Sequence, residues 1–199
     1  MKRKQERGHQ RGERGVAALE AAIILPVAVF LIFACVELYQ YYRAASLIDR
    51  MAFTVANGVA MQRELYDDGN CTEANDICVY QTIASDVFQP LDYAAHGGMI
   101  ISAYAATEPD GSGNVVWELL PEWTKTYKGT GAPNPATKVN DSSGFPPVRV
   151  GGTVVVAEIF YEHEPFVMSS AFWETLGGKR NMYSRFYFRP RFDDMRVLR

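Results

Sequence analysis

The feature that most constrains the fold is an uncharged apolar run near the N-terminus. Residues 21–36 read AAIILPVAVFLIFACV, sixteen positions without a charged side chain. As a helix this run rises about 24 Å, and with Val16–Leu19 and Leu38 added it reaches the roughly 30 Å of a bilayer core. Three of the next six residues are tyrosines, which are common at membrane interfaces. The run therefore predicts a single transmembrane helix.

Charged side chains are distributed unevenly along the chain. Residues 1–15 hold six basic and two acidic side chains, a net charge of +4, whereas the remaining 184 residues hold 14 basic and 21 acidic ones, a net charge of −7. Because cytoplasmic flanks of membrane helices are rich in Lys and Arg, we expect a cytoplasmic N-terminus and an external C-terminal body. An acidic body repels phosphate, so the composition argues against nucleic-acid binding.

The helical pattern continues beyond the apolar run, because apolar residues recur at steps of three and four. We therefore expect one helix from Val16 to about Leu65, with a transmembrane part over 16–38 and an amphipathic continuation over 39–65. Pro26 removes one backbone hydrogen bond and is expected to bend this helix. The residues of the apolar stripe are Tyr41, Ala45, Ile48, Ala52, Val55 and Val59.

Residues 66–199 predict a small α+β domain packed on the outer half of this helix. A short helix is expected over Cys78–Phe88, with Asp76 as its N-cap. Residues 128–147 are rich in Gly, Pro, Asn, Ser and Thr, which indicates a loop. Four segments rich in β-branched and aromatic residues predict an antiparallel sheet of three or four strands, the first two paired across the turn PDGSG. These segments are Gly98–Ala106, Asn114–Leu120, Thr153–Tyr161 and Met182–Arg189.

Two of the three cysteines lie close together in a polar stretch. Cys71 and Cys78 are seven residues apart, and in an oxidising compartment they would close a small loop with a disulfide, stabilising the fold by about 2–3 kcal/mol. The alternative is a pair of free thiols. A zinc site requires more ligands than this pair supplies, and the three histidines are scattered.

A cluster of titratable residues near the end of the third predicted strand resembles a set of metal ligands. On a strand, Glu158, Glu162 and Glu164 share one face while His163 points the other way. The cluster lacks the spacing of a helical zinc protease, so we interpret it as a solvated strand end, and His96 as a turn residue. No nucleophile motif or phosphate-binding glycine loop is present. We therefore expect no enzymatic activity, no cofactor, no metal and no small-molecule substrate.

Glu20 stands at the inner edge of the apolar run, where a carboxylate costs free energy unless it has a partner. Gly15 is a small, flexible residue at which a protease would engage an extended backbone. Cleavage after Gly15 would give Val16 a free amine, which Glu20, one turn along, would neutralise within the chain or in a neighbouring subunit. Without cleavage, Glu20 is an interfacial residue that faces lipid headgroups.

Gly15, Glu20 and the apolar run resemble the prepilin peptidase site of type IV pilins. In detail they are similar to the TadE/TadF-like pseudopilins of tight-adherence (Flp-type, type IVb) pili, in which a Leu-Pro pair lies in the apolar run and an acidic residue closes it. Leu25-Pro26 and Glu37 match those positions. The resemblance covers about residues 12–50 and does not distinguish TadE from TadF.

The resemblance implies a basic leader over residues 1–15 that a prepilin peptidase removes at Gly15-Val16, with Glu20 acting in assembly and processing. It also implies other pilins or pseudopilins and the pilus assembly platform as partners. The protein would lie in the bacterial inner membrane, with residues 66–199 in the periplasm, until it is exported into a pilus. A body of this size suits pilus initiation, assembly or the adhesive tip better than a densely packed shaft.

Two other functions are compatible with the same apolar run. One is an uncleaved single-span membrane protein that displays a periplasmic binding or sensor module, in which case Glu20 needs another explanation. The other is a lipoprotein, because Ile32-Phe33-Ala34-Cys35 resembles a lipobox and cleavage there would leave a lipidated Cys35. Phe33 is bulky for that motif, and the helical pattern continues through Cys35 without a break.

Overall fold

A computed structural model of the chain describes residues 3–69, 71–73, 75–109, 115–139, 144–164 and 180–192. The helices are α1 (Arg3–Ala60), α2 (Val79–Val87) and α3 (Tyr93–His96). The strands are β1 (Gly97–Pro109), β2 (Val115–Lys128), β3 (Thr153–His163) and β4 (Arg180–Phe188). This confirms the predicted α+β architecture, in which a long N-terminal helix precedes a small antiparallel sheet. The predicted turn PDGSG lies largely outside the described residues.

Helix α1 has 58 residues and a length of about 87 Å. It begins within the predicted leader and continues as a helix through Pro26. Its end at Ala60 comes five residues earlier than the expected Leu65. The last turn tightens there, because the Gln62 amide donates to the Val59 carbonyl three residues back at 3.2 Å. Leu65 is nevertheless 1% exposed, because the chain turns it back into the core.

The sheet has the strand order β2-β1-β3-β4, and all neighbouring strands are antiparallel. Strand β4 runs alongside the outer half of α1 and in the same direction. At the outer end, the Arg191 amide that follows β4 donates to the Ala60 carbonyl at 3.0 Å. At the inner end, His163 of β3 contacts Glu37. Strands β1 and β4 therefore run away from the apolar run, and β2 and β3 run towards it.

The main core lies between α1 and the inner face of the sheet. Three alanines of α1 are fully buried, so the helix backbone approaches the strands closely. The predicted stripe is confirmed from Ile48 to Val59, but Tyr41 and Ala45 are only partly buried, because the helix faces the sheet with Ala44 instead. The fully buried positions of α1 are Ala44, Met51, Ala52, Val55, Ala56 and Val59.

Strand β2 extends eight residues beyond its predicted end at Leu120. The ladder pairs Ala103 with Leu120 and then Ile101 with Lys125, so the residues between Leu120 and Lys125 form a bulge. Pro121 lies in this bulge, where its missing amide hydrogen costs no ladder hydrogen bond. The strand resumes beyond the bulge, and Trp123 is fully buried.

The segment between α1 and the sheet differs from its prediction in two details. Helix α2 begins at Val79 with Cys78 as its N-cap, so Asp76 is not the N-cap. The Asp76 carboxylate instead accepts a hydrogen bond from the Cys78 amide at 2.9 Å, two residues along the chain. His96 is the last residue of α3 rather than a turn residue.

A covering loop, residues 129–139 and 144–152, crosses the outer face of the sheet. Under it Glu158 is fully buried, which contradicts the expectation of a solvated strand end. Its carboxylate accepts hydrogen bonds from the Thr137 hydroxyl at 2.6 Å, the Lys138 amide at 2.8 Å and the Tyr183 hydroxyl at 2.7 Å. Burial, followed by the bond to Glu158, raises the pKa of the Tyr183 phenol. Glu158 therefore fixes the covering loop to the sheet.

Candidate functional site

The inner half of α1 stands clear of the rest of the described chain. An 18-residue window within Ala18–Ala60 has a mean hydropathy of 2.7, and none of that window is buried. The large apolar side chains from Val16 to Val36 are each at least 39% exposed. A continuous apolar surface of this extent requires a bilayer or a protein partner. The helix is consistent with a single-pass membrane protein.

Gly15, Val16 and Glu20 lie on one continuous helix, with the Gly15–Val16 peptide bond inside it. Val16 is 58% exposed, and Glu20 is exposed one turn further along, about 6 Å in rise. The Glu20 side chain makes no hydrogen bond or ion pair within the part of the chain that the structure describes. A carboxylate in this position is available to a positive group outside the chain. Cleavage after Gly15 and the assembly role of Glu20 stay predictions.

The outer boundary of the apolar run is a contact between α1 and the sheet. His163 Nε2 lies 3.2 Å from the Glu37 carboxylate, and the two side chains are only 6% and 12% exposed. The ring of Tyr41 meets the His163 ring edge-on, with the centroids 5.9 Å apart. The sheet therefore begins at the level where the apolar run ends, without a spacer between them.

The sequence does not predict this contact. The sequence pattern places His163 at a solvated strand end, but in the structure this residue is buried against α1. Two signals were available: Glu37 closes the apolar run, and strand alternation points His163 away from the glutamates. No sequence pattern indicates that Glu37 and His163 are in contact, because the two residues are 126 positions apart.

Cys71 and Cys78 are joined by a disulfide in the structure, with their Cα atoms 5.0 Å apart. The bond closes the loop before α2, where the Tyr66 amide also donates to the Asn75 carbonyl at 2.9 Å. Cys35 is free and exposed on the apolar half of α1. Helix α1 continues past Cys35 in both directions.

The titratable cluster of β3 does not assemble a metal site in the described ranges. No group of three His, Cys, Asp or Glu side chains there is arranged to hold a metal ion. Glu158 lies under the covering loop and His163 lies against α1, so the strand separates them onto opposite faces.

Comparison with known proteins identifies the inner part of this site. Residues 15–57 match the family described as TadE-like protein, and the match begins at Gly15 and includes Glu20, Leu25-Pro26 and Glu37. No curated protein and no solved structure matches the chain. The family is a structural family of the Tad pilus rather than an enzyme family, and it implies association with other pilus components. The match confirms the resemblance read from the sequence: the N-terminal helix of this chain, over residues 15–57, is similar to that of TadE-like proteins, which supports a protein associated with the Tad pilus.

Proposed function

We propose that this chain is a minor pseudopilin of a Tad pilus. A prepilin peptidase removes the leader, residues 1–15, on the cytoplasmic side of the inner membrane. The mature chain then has a transmembrane segment over 16–38, a periplasmic continuation over 39–65 and a periplasmic domain over 66–199. The basic leader and the acidic body support this orientation. A Cys71–Cys78 disulfide suits the oxidising periplasm.

The observation that carries this proposal is the TadE-like match, which begins at Gly15. We propose that the peptidase cuts the chain after this residue. Cleavage there creates the Val16 amine one helical turn from Glu20, whose carboxylate has no partner among the described residues. A subunit that enters an assembly in the correct register brings its Glu20 to the amine of a neighbour, which removes the cost of a bare carboxylate in lipid. Any other register leaves both charges without a partner.

The periplasmic domain supports a role in initiation, assembly or the tip. The exposed inner half of α1 is a single helix, whereas the outer half carries a four-stranded sheet and two further helices. Helices in a thin filament pack about 10 Å apart, which leaves no room for such a domain on every subunit. A few copies at one end of a filament, or in the complex that starts it, meet no such steric limit.

The decisive experiment is the mass and N-terminal sequence of the full-length protein extracted from membranes of its own host. We expect the mature chain to begin at Val16. Gly15→Leu is expected to abolish cleavage, because a bulky residue replaces the glycine at the cut. Gly12→Leu, three residues upstream in the same leader, is the matched control and is expected to leave cleavage intact.

Each rival function predicts a different mass. A chain that keeps residues 1–15 supports the uncleaved membrane protein with a binding or sensor module. A chain that begins at a lipidated Cys35 supports the lipoprotein. Normal cleavage of Gly15→Leu would show that the peptidase does not recognise this site.

A further inference from the structure

A cavity of about 210 Å³ lies between the covering loop and the inner end of the sheet. It is on the face of the sheet turned away from α1, because Phe160, which lines it, is two residues from Glu158 on β3. Gly98 of β1 has no side chain to fill this space. Pro135 of the loop crosses the glycine so closely that a Cβ at position 98 would lie 3.4 Å from the proline ring. The glycine and the crossing loop therefore leave a recess beside Phe160.

Four polar side chains with N–H donors line this cavity and remain without hydrogen bonds in the fold. They are His96, Asn134, Lys138 and Asn181. None of the four forms a side-chain hydrogen bond or an ion pair with a described residue. The Lys138 ammonium lies 4.7 Å from the centre of the Tyr183 ring, so the positive charge is held beside the cavity. Converging N–H donors with one positive charge form a site for an oxyanion such as a phosphate group.

Glu162 adds a carboxylate to the lining of the same cavity. It pairs with Asn181 across β3 and β4, so the negative charge lies at the inner end of the cavity. A carboxylate at this position disfavours a ligand that carries negative charge alone. The lining therefore suits a ligand in which a phosphate and an ammonium group are a few bonds apart.

Two fixed points show that the strands run along α1. At the inner end His163, which pairs with Arg180, contacts Glu37, and at the outer end the Arg191 amide donates to the Ala60 carbonyl. Between these points α1 rises about 35 Å, and an extended chain from position 180 to position 191 spans about 36 Å. Because the two lengths agree, the strands are nearly parallel to α1, and positions along them measure height above the apolar run.

The cavity lies at the height of lipid headgroups. Glu162 and Asn181 are one residue outward from the level of His163, about 3 Å, and Phe160 is three residues outward, about 10 Å. Glu37 closes the apolar run at the level of His163. With Glu37 at the edge of the hydrocarbon core, the headgroup layer covers about the next 5–7 Å. The inner end of the cavity is therefore within that layer.

We propose that this cavity binds the headgroup of an ethanolamine phospholipid from the membrane in which α1 is anchored. The phosphodiester accepts hydrogen bonds from the donors around Lys138, and the ammonium donates to the Glu162 carboxylate. The acyl chains stay in the bilayer, so only the headgroup, about eight non-hydrogen atoms, enters a cavity of about seven water volumes. The inference requires only the membrane anchor, and it holds whether or not residues 1–15 are removed.

A bound headgroup gives the domain a second attachment to the membrane. Helix α1 holds one face of the sheet, and the lipid would hold the inner end of the opposite face. Two attachments on opposite faces fix the direction in which the sheet points, which a single helix does not. The lipid would be released when the chain is extracted from the membrane.

Amide hydrogen exchange of the full-length chain in nanodiscs tests this site. The discs contain phosphatidylcholine alone, or have part of it replaced by phosphatidylethanolamine or by phosphatidylglycerol. We expect the ethanolamine lipid to slow exchange over residues 129–139 about tenfold, as for a ligand present at about ten times its Kd. Phosphatidylglycerol has the phosphate but no ammonium, and it should leave exchange unchanged.

Variants of the lining locate the effect. Lys138→Ala removes the positive charge and Asn181→Leu places an apolar side chain in the cavity, so each should abolish the slowing by the ethanolamine lipid. Both residues are exposed, and unchanged urea unfolding would show that the variants are folded. Glu162→Gln should remove the preference for ethanolamine over glycerol headgroups. Lys128→Ala is the matched control, because Lys128 is an exposed lysine that pairs with Gly98 but does not line the cavity.

Three results would overturn the inference. Wild-type exchange that is equal in all three discs would show that no headgroup is selected. Slowing that persists in both Lys138→Ala and Asn181→Leu would assign the effect to the bilayer surface rather than to the cavity. Equal slowing by soluble phosphoethanolamine or by inorganic phosphate, added to phosphatidylcholine discs, would show that the ligand does not come from the membrane.

Discussion

Glu20 places a carboxylate at the start of the apolar run. The free-energy cost of that charge in the membrane depends on whether a positive group lies beside it. Charged residues cost about 3 kcal/mol at the centre of a membrane helix and less near its edge. If the carboxylate meets the Val16 amine of a neighbour, Glu20→Ala removes an attraction that exists only in the assembled state. We therefore expect this variant to be cleaved normally but to assemble about tenfold fewer pili, as counted by electron microscopy.

Asp49→Ala is the matched control for that variant, because Asp49 is exposed on the outer half of the same helix. It should leave both cleavage and piliation unchanged. If Glu20→Ala cells form as many pili as wild-type cells, the carboxylate does not contribute to assembly by pairing with the Val16 amine of a neighbour. Loss of cleavage with no further defect would assign Glu20 to recognition by the peptidase instead.

Glu37 of α1 and His163 of β3 are in contact at the outer end of the apolar run, where the sheet begins. Both are largely buried, so removal of one partner leaves a desolvated polar group on the other. We expect Glu37→Ala and His163→Ala each to destabilise the domain by about 1–3 kcal/mol. The double variant should cost less than the sum of the two, because the contact is lost only once. Urea unfolding in detergent, followed by the fluorescence of buried Trp123, measures all three. Strictly additive losses would mean that the contact contributes nothing.

At the scale of elements, the covering loop depends on one carboxylate of β3. Glu158 accepts hydrogen bonds from two residues of the loop and one of β4. Glu158→Ala removes the shared acceptor of three hydrogen bonds, two of them from the covering loop, so we expect a loss of about 3 kcal/mol and faster amide exchange over residues 129–139. Glu108→Ala, at an exposed position of β1, should change stability by less than about 0.5 kcal/mol. Unchanged exchange in the loop of Glu158→Ala would show that other contacts hold it.

The helices and strands differ in how well the sequence predicts their bounds. The positions of α2, β1, β3 and β4 were predictable to within a few residues, because each is a local pattern of apolar or β-branched residues. The end of β2 was not, because Pro121 is normally incompatible with a strand and is tolerated here only by a bulge that depends on the pairing with β1. The buried states of Glu158 and His163 were not predictable either, since both depend on parts of the chain that are distant in sequence.

Some features of the candidate site follow from a local sequence motif, and others depend on the fold. Gly15, Glu20 and Leu25-Pro26 form a local motif, so the sequence alone was sufficient to suggest the family that residues 15–57 match. The Glu37–His163 contact arises from the packing of the sheet against α1, which no local pattern encodes, because the two residues are 126 positions apart. The family resemblance of the N-terminal helix could therefore be predicted from the sequence, whereas the contact between α1 and the sheet required the fold.

At the scale of the whole molecule, the width of the domain limits where the chain can be in a pilus. The four-stranded sheet alone spans about 14 Å between its edge strands, and α1 and α2 add a second layer of about 10 Å. If this domain is too wide for every subunit of a shaft built on helices about 10 Å apart, as we propose, it belongs at the start or the end of a filament. Antibodies raised against residues 66–199 should therefore label sheared pili at one end, with Gly15→Leu cells as the unassembled control. Labelling at regular intervals along the shaft would contradict this position, because it would show that every stretch of the filament accommodates the domain.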